Sequence, residues 1–482
     1  MRESKVTPQP KLKSREKLGF ADKPATRPLS KSMIRLCIFG YLIWLCLDVR
    51  DAVTGLFATM AWVSVVFALF RVAAVITPKP KSAGLAELTS DLPHYSVLVP
   101  LFHEAQMVPH LMASLARLKY PIHKLDIVLI TEAVDPFTTT AVAKALHPPF
   151  RQVVVPKGTP QTKPRALNYA FQSCRGEYVT IYDAEDRPHP DQLLAAIGAF
   201  RVRPDWAAVQ APLDYFNDRD NWLTRQFALE YAALFHVWVP FLTRLGLPFP
   251  LGGTSNHMRR APLDAAGGWD AHNVTEDADL SFRLAAHGHK IGYIHPPTQE
   301  EAVSILRDWR YQRARWIKGY IQTWDVHMAC AFAPGGWAGL KRFFTLQLTL
   351  GLTLLCVLFY TPVVVGLALL AAVMWWIGTP IEIGPIYGGT FFVSITIGCL
   401  IGAVGAIRSG KDHLIASSLF MPIYWTLLFE PTLRAFREMR TKRFHWHKTR
   451  HGVSRTVPED QTQIAQQEAI QTHHDTRSRS HD

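Results

Sequence analysis

The chain has 482 residues, 48% of them hydrophobic and 19% charged, with a formal net charge of +13 and a mean hydropathy of +0.04. The charged share lies below the ~25% of ordinary soluble chains, and disorder needs the opposite balance. Together with positive hydropathy this excludes a soluble enzyme or a fully secreted domain, and the length accommodates roughly three domains.

Residues 1–32 form a basic arm: Arg2, Lys5, Lys11, Lys13, Arg15, Lys17, Lys23, Arg27 and Lys31 face only Glu3, Glu16 and Asp22. The positive-inside rule places this arm in the cytoplasm, as a solvated tail or a contact for anionic lipid heads. Two apolar runs follow at 33–47 and 52–76, the second broken only by Arg71. They are expected to form two transmembrane helices within 33–76. A signal peptide does not fit, since a second run follows at once without a small-residue cleavage site. Arg71 lies near the cytoplasmic end of its span and is expected to snorkel. The polar stretch 91–340 is then cytosolic.

Within 91–210 strand-like runs at 94–102, 125–131, 151–155, 177–183 and 206–210 alternate with helical patterns at 104–118, 136–145, 163–174 and 190–203. Apolar strands with intervening helices predict βαβ units and a mostly parallel sheet covered on both faces. Ligands of such sheets gather beyond the carboxyl ends of the strands. Polar residues stand there: Glu132 and Asp135 after the second strand, Asp183, Glu185 and Asp186 after the fourth. Neither a dinucleotide fingerprint nor a P-loop is present.

Asp183-Ala184-Glu185-Asp186 puts carboxylates at the end of a buried strand, where they need neutralising. Oxygen ligands of this kind suit Mg²⁺ or Mn²⁺, and a helix cap suits them equally well. Thr275-Glu276-Asp277-Ala278-Asp279 opens an amphipathic stretch and on its own reads as capping chemistry. Gln312-Arg313-Ala314-Arg315-Trp316 is a basic-aromatic segment shortly before the membrane, where an interfacial anchor is the simplest reading.

Beyond 341 the region to 441 holds interface and transmembrane helices, with apolar runs at 343–377, 387–407 and 414–429. Thr361-Pro362 interrupts the first, so 341–360 is expected along the interface, before a crossing at 361–377 and a return at 387–407. The stretch 414–440 joins an apolar half to Arg434, Arg437 and Arg440, as an interface helix would. This makes four spans, or six if the long run splits and the last one inserts; either leaves 434–450 inside. The six cysteines contain no C-x-x-C pair and read as small buried hydrophobes. Residues 453–482 are polar and expected to be disordered.

In this order the clusters resemble the family-2 glycosyltransferases of the cellulose synthase and hyaluronan synthase superfamily, bacterial and processive in type. Val99 to Glu104 resembles the first strand and turn, Lys163 to Asn168 a K-x-x-A-L-N helix start, Asp183-Ala184-Glu185 the D-x-D motif, Thr275-Glu276-Asp277 the T-E-D, and Gln312 to Trp316 the Q-x-x-R-W. The resemblance implies a GT-A-type fold over 91–340 and inverting transfer from a UDP-sugar, UDP-glucose or UDP-N-acetylglucosamine. It implies a metal, Mg²⁺ or Mn²⁺, on Asp183 and Glu185, and Asp277 as the base. Donor contacts would come from Glu132, Asp135, Lys163, Asp183 and Arg315, and acceptor contacts from Glu276, Gln312 and Trp316. The segment 442–452 resembles a gating loop, which gives Lys448 and Arg450 a donor-binding role. Zinc at His445 and His447 is poorly supported.

Glu185 departs from the second Asp of the motif, and Glu132-Ala133-Val134-Asp135 from a common Asp-Asp. The expectation is thus a multi-pass inner-membrane enzyme with a cytoplasmic catalytic domain, extending a β-linked polysaccharide. Its partners would be the UDP-sugar, the growing glycan, the lipid bilayer and accessory export subunits, without nucleic acid. The alternative is a non-processive transferase loading one sugar onto a lipid acceptor. A non-catalytic scaffold would require purely structural acidic clusters.

Overall fold

The computed structural model describes residues 29–89, 91–331, 336–378 and 385–444. Among the described residues ten strands form two sheets: β1 (Tyr95–Leu101), β2 (Leu125–Glu132), β3 (Phe150–Val155), β4 (Tyr178–Ile181), β5 (Arg187–Pro188), β6 (Trp206–Gln210), β7 (Leu213–Tyr215), β8 (Asn256–Arg259), β9 (Lys290–Tyr293) and β10 (Thr298–Glu300). The large sheet runs β3-β2-β1-β4-β8-β6-β9 and the small one β5-β10-β7. Pairing is parallel from β3 to β4 and between β6 and β9, while β8 lies antiparallel to both β4 and β6.

Alternation along the strands supplies two cores. Leu98, Val128, Ile130, Val179 and Ile181 pack with Leu167, Phe171 and Trp269. Val97, Val99, Ile127 and Leu129 face the other way, onto Leu111, Leu115 and Leu193. Side chains one residue apart on a strand point to opposite faces, so both faces of the sheet are covered.

The fourth strand stops at Ile181, short of the expected Asp183. The Asp183 amide donates to Asp186 Oδ2 at 2.6 Å, folding the acidic stretch into a turn. β8 (Asn-His-Met-Arg) had no apolar signature. Its His257 is buried and hydrogen-bonds Tyr95 Oη at 2.7 Å and Gln192 Oε1 at 3.1 Å; burial lowers its pKa to about 3, which keeps the ring neutral.

Helices Leu29–Leu47 and Val49–Ile76 stand where two crossings were expected, with Ala61–Ile76 a shorter apolar stretch. Among the described residues, Gly339–Trp376, Gly389–Ser409 and Asp412–Thr441 are long and apolar enough to cross a membrane. Helix Leu352–Trp376 runs unbroken through Pro362, contrary to the expected interruption. In hydrocarbon, ending a helix exposes more unsatisfied backbone than one proline removes, and neighbouring helices support the site. Here Thr361 Oγ1 donates to Thr426 O at 3.1 Å. The helical irregularity falls earlier, in a π-helical turn at Gln347–Gly351. The final stretch is broken into a 3₁₀ segment (Asp412–Phe420) and helices Met421–Thr426 and Phe429–Thr441, the last carrying Arg434, Arg437 and Arg440. Arg71 does not snorkel: its guanidinium lies 3.9 Å from the Phe67 ring centroid and donates to Ser394 O at 3.4 Å, inside the helix packing.

A buried clamp joins the elements that carry the acidic and basic motifs. Arg283, on helix Glu276–Ala286, donates to Asp279 Oδ2 at 2.7 Å and to the Ala266 and Gly268 carbonyls at 2.5 and 2.7 Å. His327, on helix Leu306–Ala331, meets Asp279 Oδ1 at 2.9 Å. Burial opposes the Asp279 charge, but Arg283 and His327 outweigh it and hold its pKa below the usual carboxylate range. Arg283→Met leaves a buried carboxylate short of its main partner, and should cost about 3–5 kcal/mol. Denaturant unfolding of the purified protein checks this; a loss under about 1 kcal/mol would contradict it.

Candidate active site

A cavity of about 690 Å³ opens beyond the carboxyl ends of β1, β2 and β4. Its wall includes Glu132, Lys163, Asp183, Glu185, Glu276, Asp277, Gln312, Arg315 and Trp316, nine residues singled out from the sequence. Asp135 is not brought there. It caps helix Pro136–Ala145, accepting from Thr138 N at 3.2 Å and from His103 N at 2.6 Å. Lys448 and Arg450, with His445 and His447, lie outside the described residues, although Phe444 reaches the cavity wall.

Lys163, at the first position of helix Lys163–Phe171, donates to Asp183 Oδ1 at 2.5 Å and to Gly253 O at 2.8 Å. Burial works against the ammonium, but Asp183 and Glu276 outweigh it and hold its pKa above the ordinary lysine value. Burial raises Glu276 to about 7, with Asp277 adding to the effect, and raises Asp277 to about 6. Arg315 faces Glu276, Asp277 and Asp183; burial nonetheless lowers its pKa. Trp316 belongs to an aromatic pile in which Arg313 lies 4.7 Å from its ring centroid and 4.3 Å from that of Phe227. Arg313 is held by Glu230 at 2.8 and 2.5 Å. Gln312 Oε1 is buried without a hydrogen-bond partner.

Helix Leu306–Ala331 positions the Thr275-Glu276-Asp277 segment. Asn273 Nδ2 donates to Thr323 Oγ1 at 3.0 Å, and Val274 N to Gln322 Oε1 at 3.2 Å. Gly319 lets the helix come this close, since a methyl there would collide with the Thr275 side chain. Gln322 Nε2 also donates to Arg443 O at 3.0 Å, and Lys318 pairs with Glu438 at 2.9 Å, which brings the end of the last helix to the same place.

Sequence reading missed Glu300, Gly253 and the apolar part of the wall. Glu300 sits at the end of β10, a three-residue strand with no hydrophobic pattern, and its Oε1 is buried without a hydrogen-bond partner. Burial, with Asp186, Glu185 and Asp183 close by, raises its pKa well above the carboxylate range. Gly253 passes close to the acidic pair: a Cβ there would lie 3.3 Å from Asp277 Oδ2 and press that carboxylate aside. From the carboxylates the cavity continues along Leu234, Phe235, Trp238, Phe249, Leu350, Leu354 and Val357.

Among the described residues no group of three or more His, Cys, Asp or Glu side chains is gathered to hold a metal ion. Mg²⁺ and Mn²⁺ need less, since one or two carboxylates and substrate phosphates suffice. Asp183 and Glu185 on the cavity wall meet that requirement; burial, with Asp183 and Glu185 close by, raises the pKa of Asp186 and of Glu300, and a cation beside these carboxylates would relieve their repulsion.

Glu276 binds its proton more tightly folded than unfolded, so its stabilisation is complete below about pH 4.5 and is lost as pH rises through about 7. Glu276→Gln should therefore flatten the fall in Tm between pH 5 and 8 by roughly 5 °C. Calorimetry across that range is the check; an unchanged slope would contradict the assignment.

A glycosyl transferase family group 2 model matches residues 178–384, from β4 through the last of these motifs into the membrane helices. The beta-monoglucosyldiacylglycerol synthase of Trichormus variabilis is 26% identical over 76% of this chain and 78% of its own length. Glucomannan 4-beta-mannosyltransferase 2 of Arabidopsis thaliana is 27% identical over 48% of the chain and 45% of its own length. The fold is shared with a mannosyltransferase of Pyrobaculum calidifontis solved with GDP-Man and Mn²⁺, at a TM-score of 0.50 and 18% identity, covering 80% of this chain and 98% of that one. The family model over residues 178–384 and the relatives agree on the activity: the protein is a glycosyltransferase similar to those of family 2.

Proposed function

We propose that this membrane glycosyltransferase moves a single hexose from a nucleotide sugar to the hydroxyl of a membrane glycerolipid, with inversion. One observation carries the reading: a single cavity joins the carboxylates Asp183, Glu185 and Asp277 to an apolar wall on a membrane-type helix. A polar donor and a hydrocarbon acceptor can meet only in such a space. The similarity to a beta-monoglucosyldiacylglycerol synthase over most of both chains supports a lipid acceptor. Chain extension is the second reading, favoured by the glucomannan mannosyltransferase relative and by the Q-R-x-R-W segment. We read the α/β part as GT-A in type and facing the cytoplasm, on the strength of its parallel strands and the basic first arm.

In this mechanism Asp277 accepts the proton of the attacking hydroxyl. Its raised pKa makes it a stronger base than a surface carboxylate. Gln312 and Trp316 offer the acceptor a hydrogen-bond partner and an aromatic wall. Lys163 and Arg315 stand beside the acidic groups as counter-charges for the diphosphate. Mg²⁺ or Mn²⁺ on Asp183 and Glu185 would supply Lewis-acid stabilisation of the leaving diphosphate, as Mn²⁺ in the structure of the fold relative suggests.

The product decides between the readings. Purified protein in nanodiscs, given radiolabelled UDP-glucose, GDP-mannose or UDP-N-acetylglucosamine with diacylglycerol, should make a glycolipid one hexose heavier. A ladder of long glycans without such a glycolipid would overturn the single-transfer reading.

Asp277→Asn should lower transfer by at least about 100-fold, the lower range of general-base effects. Its Tm should hold or rise, because an amide escapes the cost of a desolvated carboxylate. Wild-type transfer should decline on acidification through the range set by Asp277 near 6 and Glu276 near 7. Residual activity within tenfold, or a flat profile from pH 8 to 5, would remove Asp277 from this role.

A further inference from the structure

The apolar arm of the cavity has a construction of its own. Thr349, Leu350, Thr353, Leu354 and Val357 line it at spacings of one, three, one and three residues, one stripe of an α-helix. At ~1.5 Å per residue the stripe runs for about 12 Å. The same stretch lies within Gly339–Trp376, long and apolar enough to cross a membrane. Leu355 and Phe359 of that helix are exposed, at 49% and 45%, on its outward side. The stripe therefore lines the same cavity as the carboxylates and lies on a helix whose other face is suited to lipid.

Both walls contain a π-helical turn: Leu234–Trp238, which supplies Phe235 and Trp238, and Gln347–Gly351, which supplies Thr349 and Leu350. Such turns shift the side chains of a helix out of register and are frequent at functional sites. The two threonines add little polarity. Thr349 Oγ1 donates to Thr345 O at 2.8 Å and Thr353 Oγ1 to Thr349 O at 2.6 Å, so each hydroxyl proton is taken up by its own helix. A sugar chain needs a succession of hydrogen-bond partners, and this stripe withholds them. A hydrocarbon chain needs apolar area alone.

We propose that this arm is the binding site for the hydrocarbon chain of the acceptor, which enters sideways from the bilayer along helix Leu352–Trp376 and brings its hydroxyl to Asp277. The inference rests on the lipid-acceptor reading and adds the route and the residues that select the acceptor's tail. Leu350, Leu354 and Val357 line the arm together with Phe235, Trp238 and Phe249.

The test uses the full chain in phosphatidylcholine nanodiscs with a diacylglycerol bearing a diazirine in one acyl chain, and maps the crosslinked peptides. Label should appear within 347–357 and 234–249 and be displaced by unlabelled diacylglycerol. Leu354→Trp, which fills the arm, should reduce it at least tenfold, while Leu355→Trp on the outward face leaves it unchanged. Label confined to the outward face, or unaffected by Leu354→Trp and by competitor, overturns the proposal. Crosslinking needs no turnover, so its outcome is separable from that of the product assay. Correct labelling without glycolipid would overturn the transfer reading and retain the lipid site. Glycolipid formed without labelling of the arm would retain the transfer reading and reject the site.

Discussion

Asp183, Glu185, Asp186, Glu276, Asp277 and Glu300 converge on one partly dehydrated region, and the surrounding structure is shaped by keeping them there. Like charges in a medium of low effective dielectric repel strongly, so each needs a proton, a cation or a set of hydrogen bonds. Lys163 answers Asp183, while the Asp183 amide and the Thr254 hydroxyl donate to Asp186. Glu276 and Asp277 respond with raised pKa values. A site under this load is prepared for incoming positive charge and for accepting a proton. Those are the two needs of a glycosyl transfer from a nucleotide sugar.

Holding the acidic segments in place falls to elements distant in sequence. Helix Leu306–Ala331 presents Gln312, Arg315 and Trp316 to the cavity, grips Thr275 through Gly319, and meets Asp279 through His327. It also receives the end of the last helix through Lys318 and Gln322. One helix therefore links the Thr275-Glu276-Asp277 segment, the basic-aromatic motif and the last helix.

Much of this was legible in the sequence. The βαβ half is readable because β1 and β2 are apolar and buried on both sides, and helix Pro136–Ala145 begins at Asp135-Pro136, an ordinary start signal. The donor contact that the resemblance gave Asp135 is the part that differs, because its carboxylate caps this helix. β8 and β10 escaped because polar residues fill them and their hydrogen bonds come from other parts of the chain. Glu300 could not be distinguished from its neighbour Glu301 without the small sheet that carries it. Pro362 misled in the other direction, since the rule that a proline ends a helix weakens where the bilayer penalises exposed backbone. The apolar arm was invisible, because residues more than a hundred positions apart form it and each half resembles an ordinary helix core.

The most direct measurement is an electron cryo-microscopy map of the protein in nanodiscs with UDP or GDP and Mn²⁺. Density for the diphosphate and the ion is expected beside Asp183 and Glu185, with Arg315 facing it and Asp277 uncoordinated and open towards the apolar arm. A diphosphate bound away from Asp183 and Glu185, or an ion held by Asp277, would contradict the division of labour between the two acidic clusters.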